Sequence, residues 1–220
     1  SEIILEEKDL NSKENLKKIK EMEKWEEEIN KKGFFIGFNI GLLEYELNNF
    51  KTDTSGLSLK QNSIKNGYNF DLNLGIKRQS TDYYISAGSY DTEPLKIYKL
   101  SLGIAKELKD FSKLKIKLFG DFNIIYGNGE IGSLYTNTSI GNIGDKVEAE
   151  FMNFGFTPGI KFEINLTTNS DLYFSTGYNI YPKIDNLETK VNDKKVSLKN
   201  FNPTVDLNGL VLKTGIQFNF

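Results

Sequence analysis

From Phe34 to the last residue, apolar side chains recur at every second position, the period of a strand with two unlike faces. The first example sets Phe34, Ile36, Phe38, Ile40 and Leu42 against Phe35, Gly37, Asn39, Gly41 and Leu43. The second is cleaner: Tyr68, Phe70, Leu72, Leu74 and Ile76 alternate with Asn69, Asp71, Asn73, Gly75 and Lys77. Six more follow, through Tyr83–Ala87, Tyr98–Ile104, Leu114–Tyr126, Met152–Ile164, Leu172–Ile180 and Leu210–Phe220. A tilted strand needs roughly 9–11 residues to cross a bilayer, and eight amphipathic strands match that demand. An even number closes into an antiparallel ring without free edges. Pro158 conflicts with the pattern, because it has no N–H for the ladder, so a bulge or an irregular step is expected at Pro158 and Gly159.

Before Gly33 the period is different. Leu16, Ile19, Met22, Trp25 and Ile29 recur at three or four among densely charged residues, with Asn11 and Glu14 as a capping box and Gly33 as the stop. The chain therefore divides into a charged α-helical segment, 1–32, and a β domain, 33–220. The apolar stripe of the helix is thin, which suits a solvated connector or docking helix.

Alternation leaves open which face looks inward, and side-chain size decides it. The apolar face carries Phe, Tyr, Leu and Ile on all eight strands, whereas the opposite face is mostly Gly, Ser, Asn and Ala with scattered Lys and Asp. An eight-stranded interior is only just wide enough for side chains to fill it, so the bulky row belongs outside, facing hydrocarbon. Connection lengths agree. They are short at 78–82, 108–112 and 165–171 and long at 47–66, 127–148 and 183–206, the asymmetry of an outer-membrane barrel with periplasmic turns and extracellular loops. Aromatics then fall at two heights, Phe34, Tyr83, Phe162, Phe174, Phe218 and Phe220 at one rim and Tyr45, Tyr68, Tyr98, Tyr126 and Phe154 at the other. Tyr126–Gly132 reads as a loop with turn chemistry, and 187–198 around Asn192-Asp193 reads as a projecting hairpin.

The final segment, Lys213-Thr214-Gly215-Ile216-Gln217-Phe218-Asn219-Phe220, resembles the C-terminal signal of bacterial outer-membrane barrels, with Gly215, Phe218 and the terminal Phe220 as its marks. Residues 34–220 resemble, in pattern, the small eight-stranded barrels of the OmpA transmembrane-domain and opacity-protein kind. The resemblance implies an all-β, antiparallel up-and-down transmembrane barrel inserted by the barrel assembly machinery, and the one N-terminal α-helix expected before the barrel is a departure from that family pattern. The expected protein is a monomer in the bacterial outer membrane, with the helix in the periplasm and the long loops outside, free to meet a surface or host partner.

Composition narrows the chemistry. The chain of 220 residues has net charge -2, no Cys and no His, which removes thiolate zinc sites, cysteine nucleophiles and the usual general base. No 18-residue apolar run exists for a spanning helix. No basic-and-apolar leader opens the chain, as expected of an exported protein after processing. Near-neutral mixed charge gives no nucleic-acid footprint. Asp71, Asp121, Glu163 and Ser86 are the inward groups available for histidine-free catalysis. The structural reading is preferred, because charges in a narrow lumen must pair. Asp71, Asp121 and Glu163 would neutralise Lys77, Lys99, Lys115, Lys117, Lys161 and Lys213, with no enzyme activity, cofactor or metal expected. The expected function is a membrane-anchored scaffold whose loops make adhesive or partner contacts. A small porin or conduit for small or apolar solutes and a soluble ligand-binding barrel are the alternatives.

Overall fold

The computed structural model describes Lys20 and residues 33–48, 57–59, 66–92, 94–111, 113–185, 187–197 and 203–220. The expected N-terminal helix lies, Lys20 excepted, outside the described residues. In chain order the strands are β1 (Gly33–Glu44), β2 (Glu46–Asn48), β3 (Leu57–Leu59), β4 (Asn66–Arg78), β5 (Thr81–Thr92), β6 (Leu95–Asp110), β7 (Leu114–Leu134), β8 (Lys146–Thr167), β9 (Ser170–Asn179), β10 (Glu188–Val191), β11 (Lys194–Val196), β12 (Thr204–Asp206) and β13 (Gly209–Asn219). Eight of them form a closed antiparallel ring in the order β1-β4-β5-β6-β7-β8-β9-β13, and β13 pairs back onto β1 from Phe35↔Asn219 to Leu43↔Val211.

At one end the ring turns tightly, as at Gln79-Ser80 between β4 and β5 and Thr168-Asn169 between β8 and β9. At the other end the strands run on. β7 has 21 residues and β8 has 22, about twice what a bilayer crossing needs. The expected loop at 127–148 is therefore mostly strand, with only 135–145 connecting. Tyr126–Gly132 is part of β7 and pairs with β8 up to a register shift between Glu130 and Gly132. The reason is legible in the residues: Asn128 and Glu130 face away from the axis and Ile131 faces inward, so alternation continues through the glycines.

The projecting hairpin is present as β10 and β11, turned by Asn192 and Asp193 at φ 50° and 62°, the left-handed pair a two-residue hairpin demands. Its inner strand pairs with β8, Val191 opposite Val147, so it widens the projecting sheet to β3-β7-β8-β10-β11. The small pair β2–β12 lies over the same end, and Ile184 bridges to Val205. Of the two outcomes expected at Pro158 and Gly159, the structure has the irregular step and not the bulge: the β8–β9 ladder stops at Gly159 and resumes as a single bridge at Phe156. Pro158 sits in register opposite Gly120, and the β8–β9 register is the same at Phe156↔Ile180 and Gly159↔Gly177, so the missing N–H only interrupts the ladder.

A lumen of paired charges under an apolar plug

The bulky row faces outward. Phe70, Leu100 and Phe156 are 53%, 49% and 46% exposed, as are their equivalents on every ring strand. Such a continuous apolar surface far exceeds the few hundred Å² a soluble monomer tolerates and matches hydrocarbon instead. Tyr68, Tyr98, Tyr126 and Phe154 lie on it near one rim and Phe34, Phe174, Phe218 and Phe220 near the other. Tyr45 departs from its expected place in the rim. It is buried inside the ring with Leu43 and Tyr90.

Inside the ring, charge is paired at close range. Asp71, fully buried on β4, receives Lys99 at 2.9 Å from β6, Lys213 at 2.8 Å from β13 and the Asn69 amide at 2.9 Å. Toward the tight-turn end, Lys117 lies 2.6 Å from Asp82 and 2.7 Å from Glu163, and Lys161 lies 2.6 Å from the other Glu163 oxygen. Lys77 then meets Asp171 at 3.2 Å, and Asn219 donates to the same carboxylate. Asp71–Lys99, Asp71–Lys213, Lys117–Asp82 and Lys77–Asp171 cross the interior between strands that share no ladder, whereas Lys117–Glu163 joins the neighbours β7 and β8 and Lys161–Glu163 lies along β8.

Two expected members are placed differently. Lys115 stands at the tight-turn rim, 3.8 Å from Glu107 and 3.7 Å from Asp110, rather than inside the lumen. Asp121 accepts a hydrogen bond from the Tyr84 hydroxyl at 2.6 Å, and none of the salt bridges among the described residues uses it. Its removal would strand a phenol and not a lysine. Asp82 and Asp171, not among the expected members, complete the balance: Lys77, Lys99, Lys117, Lys161 and Lys213 are matched in number by Asp71, Asp82, Asp121, Glu163 and Asp171. Both sit at inward positions by simple alternation, Asp82 before outward Tyr83 and Asp171 before outward Leu172, but beside turns, where the pattern is easily cut short.

A neutral relay, also absent from the sequence expectations, crosses the interior. Ser101 donates to Asn123, Asn123 to Thr157 and Thr157 to Asn179, at 2.6, 2.8 and 2.7 Å, joining β6, β7, β8 and β9. Ser86, the remaining catalytic candidate, lines a cavity of about 40 Å³ with Asn39, Asn73, Tyr84, Asp121 and Lys213. That is room for a few waters and for no substrate. Inward glycines make space for inward rings: a Cβ on Gly103 would collide with Tyr84, and one on Gly127 with Phe151.

Toward the long-loop end the interior changes from polar to apolar within two residues on β6, β7, β8 and β13, where Lys99 gives way to Ile97, Asn123 to Ile125, Asn153 to Phe151 and Lys213 to Val211, and on β5 Gly88 gives way to Tyr90. These residues join Leu43, Tyr45, Ile131, Val147, Tyr181, Val191 and Val205 in one buried cluster that fills the outer mouth of the ring. The outward face changes in the opposite sense at the same height, Tyr98 to Lys96, Tyr126 to Asn128, Met152 to Glu150 and Leu42 to Glu44. No group of His, Cys, Asp and Glu among the described residues could hold a metal ion.

No protein-family model matches the chain, and no curated protein matches it significantly in sequence. Solved structures do share its fold. Neisserial surface protein A aligns over 85% of this chain and 97% of its own with a TM-score of 0.50 and 16% identity. A major outer membrane protein from Thermus thermophilus aligns over 86% and 99% with a TM-score of 0.51 and 10% identity. The chain thus has the fold of these small membrane barrels, at identities that carry the architecture alone.

Proposed function

We propose that this protein is a bacterial outer-membrane barrel that anchors a projecting β-sheet for contact with a partner outside the cell, and that it neither catalyses nor conducts. The observation that carries this reading is the exchange of faces at one height on the ring strands. A belt suited to hydrocarbon ends where a soluble-type sandwich begins, and the sheet β3-β7-β8-β10-β11 stands beyond it. The interior supports the non-conducting part, because paired charges fill the belt region and an apolar cluster closes the mouth above it. Gly215, Phe218 and Phe220 fit the barrel-assembly signal: Phe218 on the outer face of β13 and Phe220 just past its end are both exposed, where an assembly factor can reach them. In this orientation the tight turns and the charged 1–32 segment lie in the periplasm, and the stretches 47–66, 127–148 and 183–206 lie outside.

Protease added to intact cells tests the orientation. Cleavage within residues 192–202 with protection of the tight turns is expected. Cleavage only after the outer membrane is opened would overturn it. Planar-bilayer recordings should show a silent protein, and steady openings would instead favour a small conduit.

A further inference from the structure

At the tight-turn edge of the belt the outward row changes from apolar to cationic in one step. Phe34, Ile76, Tyr83 and Ile104 lie side by side across β1, β4, β5 and β6, paired as Phe34↔Ile76, Ile76↔Tyr83 and Tyr83↔Ile104. The next row is Arg78, Thr81 and Lys106, paired as Arg78↔Thr81 and Thr81↔Lys106. Arg78 and Lys106 are exposed and take part in no salt bridge among the described residues. Nearby carboxylates are already engaged, Asp82 with Lys117 and both Glu107 and Asp110 with Lys115. With strands roughly 4.8 Å apart, the two cations stand about 10 Å apart on backbones flanking a hydroxyl, within reach of one shared tetrahedral anion. A groove of about 520 Å³ opens beside Arg78, lined by Gly33, Phe34, Ile76, Lys77 and Phe220.

We propose that Arg78 and Lys106, with Thr81 between them, hold the phosphate of an anionic phospholipid in the membrane leaflet at the tight-turn end, its acyl chains lying along Phe34, Ile76 and Tyr83. Charge and geometry together select this occupant. A free anion would match the cations but leave the apolar row and groove unused, and a zwitterionic lipid would bring a choline or amine against two positive charges. The site rests on the membrane-barrel reading above, and insertion is checked separately.

The test uses the full chain carrying Tyr83→Trp and Trp25→Phe, folded into phosphatidylcholine vesicles that contain dibrominated phosphatidylglycerol or, in parallel, dibrominated phosphatidylcholine. Insertion is confirmed first by protease protection of the barrel. Failure there strikes the membrane reading and not the lipid site. In inserted protein, quenching should report a preference for phosphatidylglycerol of roughly five-fold or more at low salt. Arg78→Gln with Lys106→Gln should bring it to about one-fold, and millimolar inorganic phosphate at constant ionic strength should leave it unchanged. Three results would overturn the proposal: no preference in the parent, equal preference in the double variant, or displacement by inorganic phosphate, which would mark a free-phosphate site. A preference that appears only when residues 1–32 are deleted would also overturn it, by identifying the acidic run Glu26-Glu27-Glu28 as the occupant.

Discussion

The two ends of this barrel solve opposite solvent problems with the same strands. In the belt, β6 shows Leu100, Leu102 and Ile104 to lipid and hides Lys99 and Ser101, whereas two residues beyond, it shows Lys96 to water and hides Ile97 and Leu95. β8 does the same, with Met152, Phe154 and Phe156 outside and Thr157 inside giving way to Glu148 and Glu150 outside and Val147, Ala149 and Phe151 inside. The backbone is one continuous ladder through the change. A strand therefore records where the bilayer stops as a reversal of phase and not as a break in period.

The difference also dictates where each region is fragile. The belt interior depends on charge pairing. Asp71→Ala strips Lys99 and Lys213 of the carboxylate they share and should cost about 3–5 kcal/mol, read as a lower urea midpoint in lipid. If the pair serves only packing, replacing all three together, Asp71→Leu with Lys99→Met and Lys213→Met, should restore most of that loss. An unchanged midpoint for Asp71→Ala alone would show that the lysines reach water.

The plug depends on packing. Phe151→Ala should cost about 3–4 kcal/mol, and the loss should appear as faster hydrogen exchange confined to the projecting sheet while the belt keeps its protection. Uniform acceleration would mean that the two regions unfold as one.

The outer faces separate the regions more gently. Leu102→Arg, in mid-belt, should cost about 2–4 kcal/mol in a bilayer, whereas Glu148→Arg on the projecting part of β8 should change stability by no more than about 0.5 kcal/mol. Equal costs would remove the boundary placed between Met152 and Glu150.

The smallest effect concerns pH and the hairpin. The Lys190 ammonium is held above its ordinary value of 10.5, chiefly by its hydrogen bond to Glu150 at 2.6 Å. A raised lysine pKa stabilises the fold fully below the unfolded value and loses that contribution as pH climbs through the folded one. Docking of β10 on β8 should accordingly be constant from pH 7 to about 10 and loosen only above that range, followed by the ¹⁵N shift of Lys190. Loosening near neutrality would mean that another group controls it.

Much of this was legible in the residues. Eight alternating segments, the outward bulky row and the Asn192-Asp193 turn all follow from period, size and turn chemistry, and the structure has them. What escaped did so for identifiable reasons. The glycines at 127, 129 and 132 read as loop when a strand is taken to end with its apolar row, although outward Glu130, Glu148 and Glu150 alternating with inward Ile131, Val147 and Ala149 carry the same period with its phase reversed. Tyr45 follows the same reversal, an aromatic beyond the belt that turns inward to the plug and not outward to the rim. The pairing of Asp121 with Tyr84, rather than with a lysine, depends on barrel stagger, which alternation along single strands does not encode.

Spin labels stepped singly along β7 from Lys117 to Glu130, in bilayers, test the exchange of faces most directly. Leu118, Phe122, Ile124 and Tyr126 should be relaxed by oxygen dissolved in lipid, Asn128 and Glu130 by a water-soluble nickel chelate, and Asp121, Asn123 and Ile125 by neither. Oxygen-protected labels at Phe122 and Ile124 together with chelate-accessible labels at Asp121 and Asn123 would put the bulky row inside and contradict the whole arrangement.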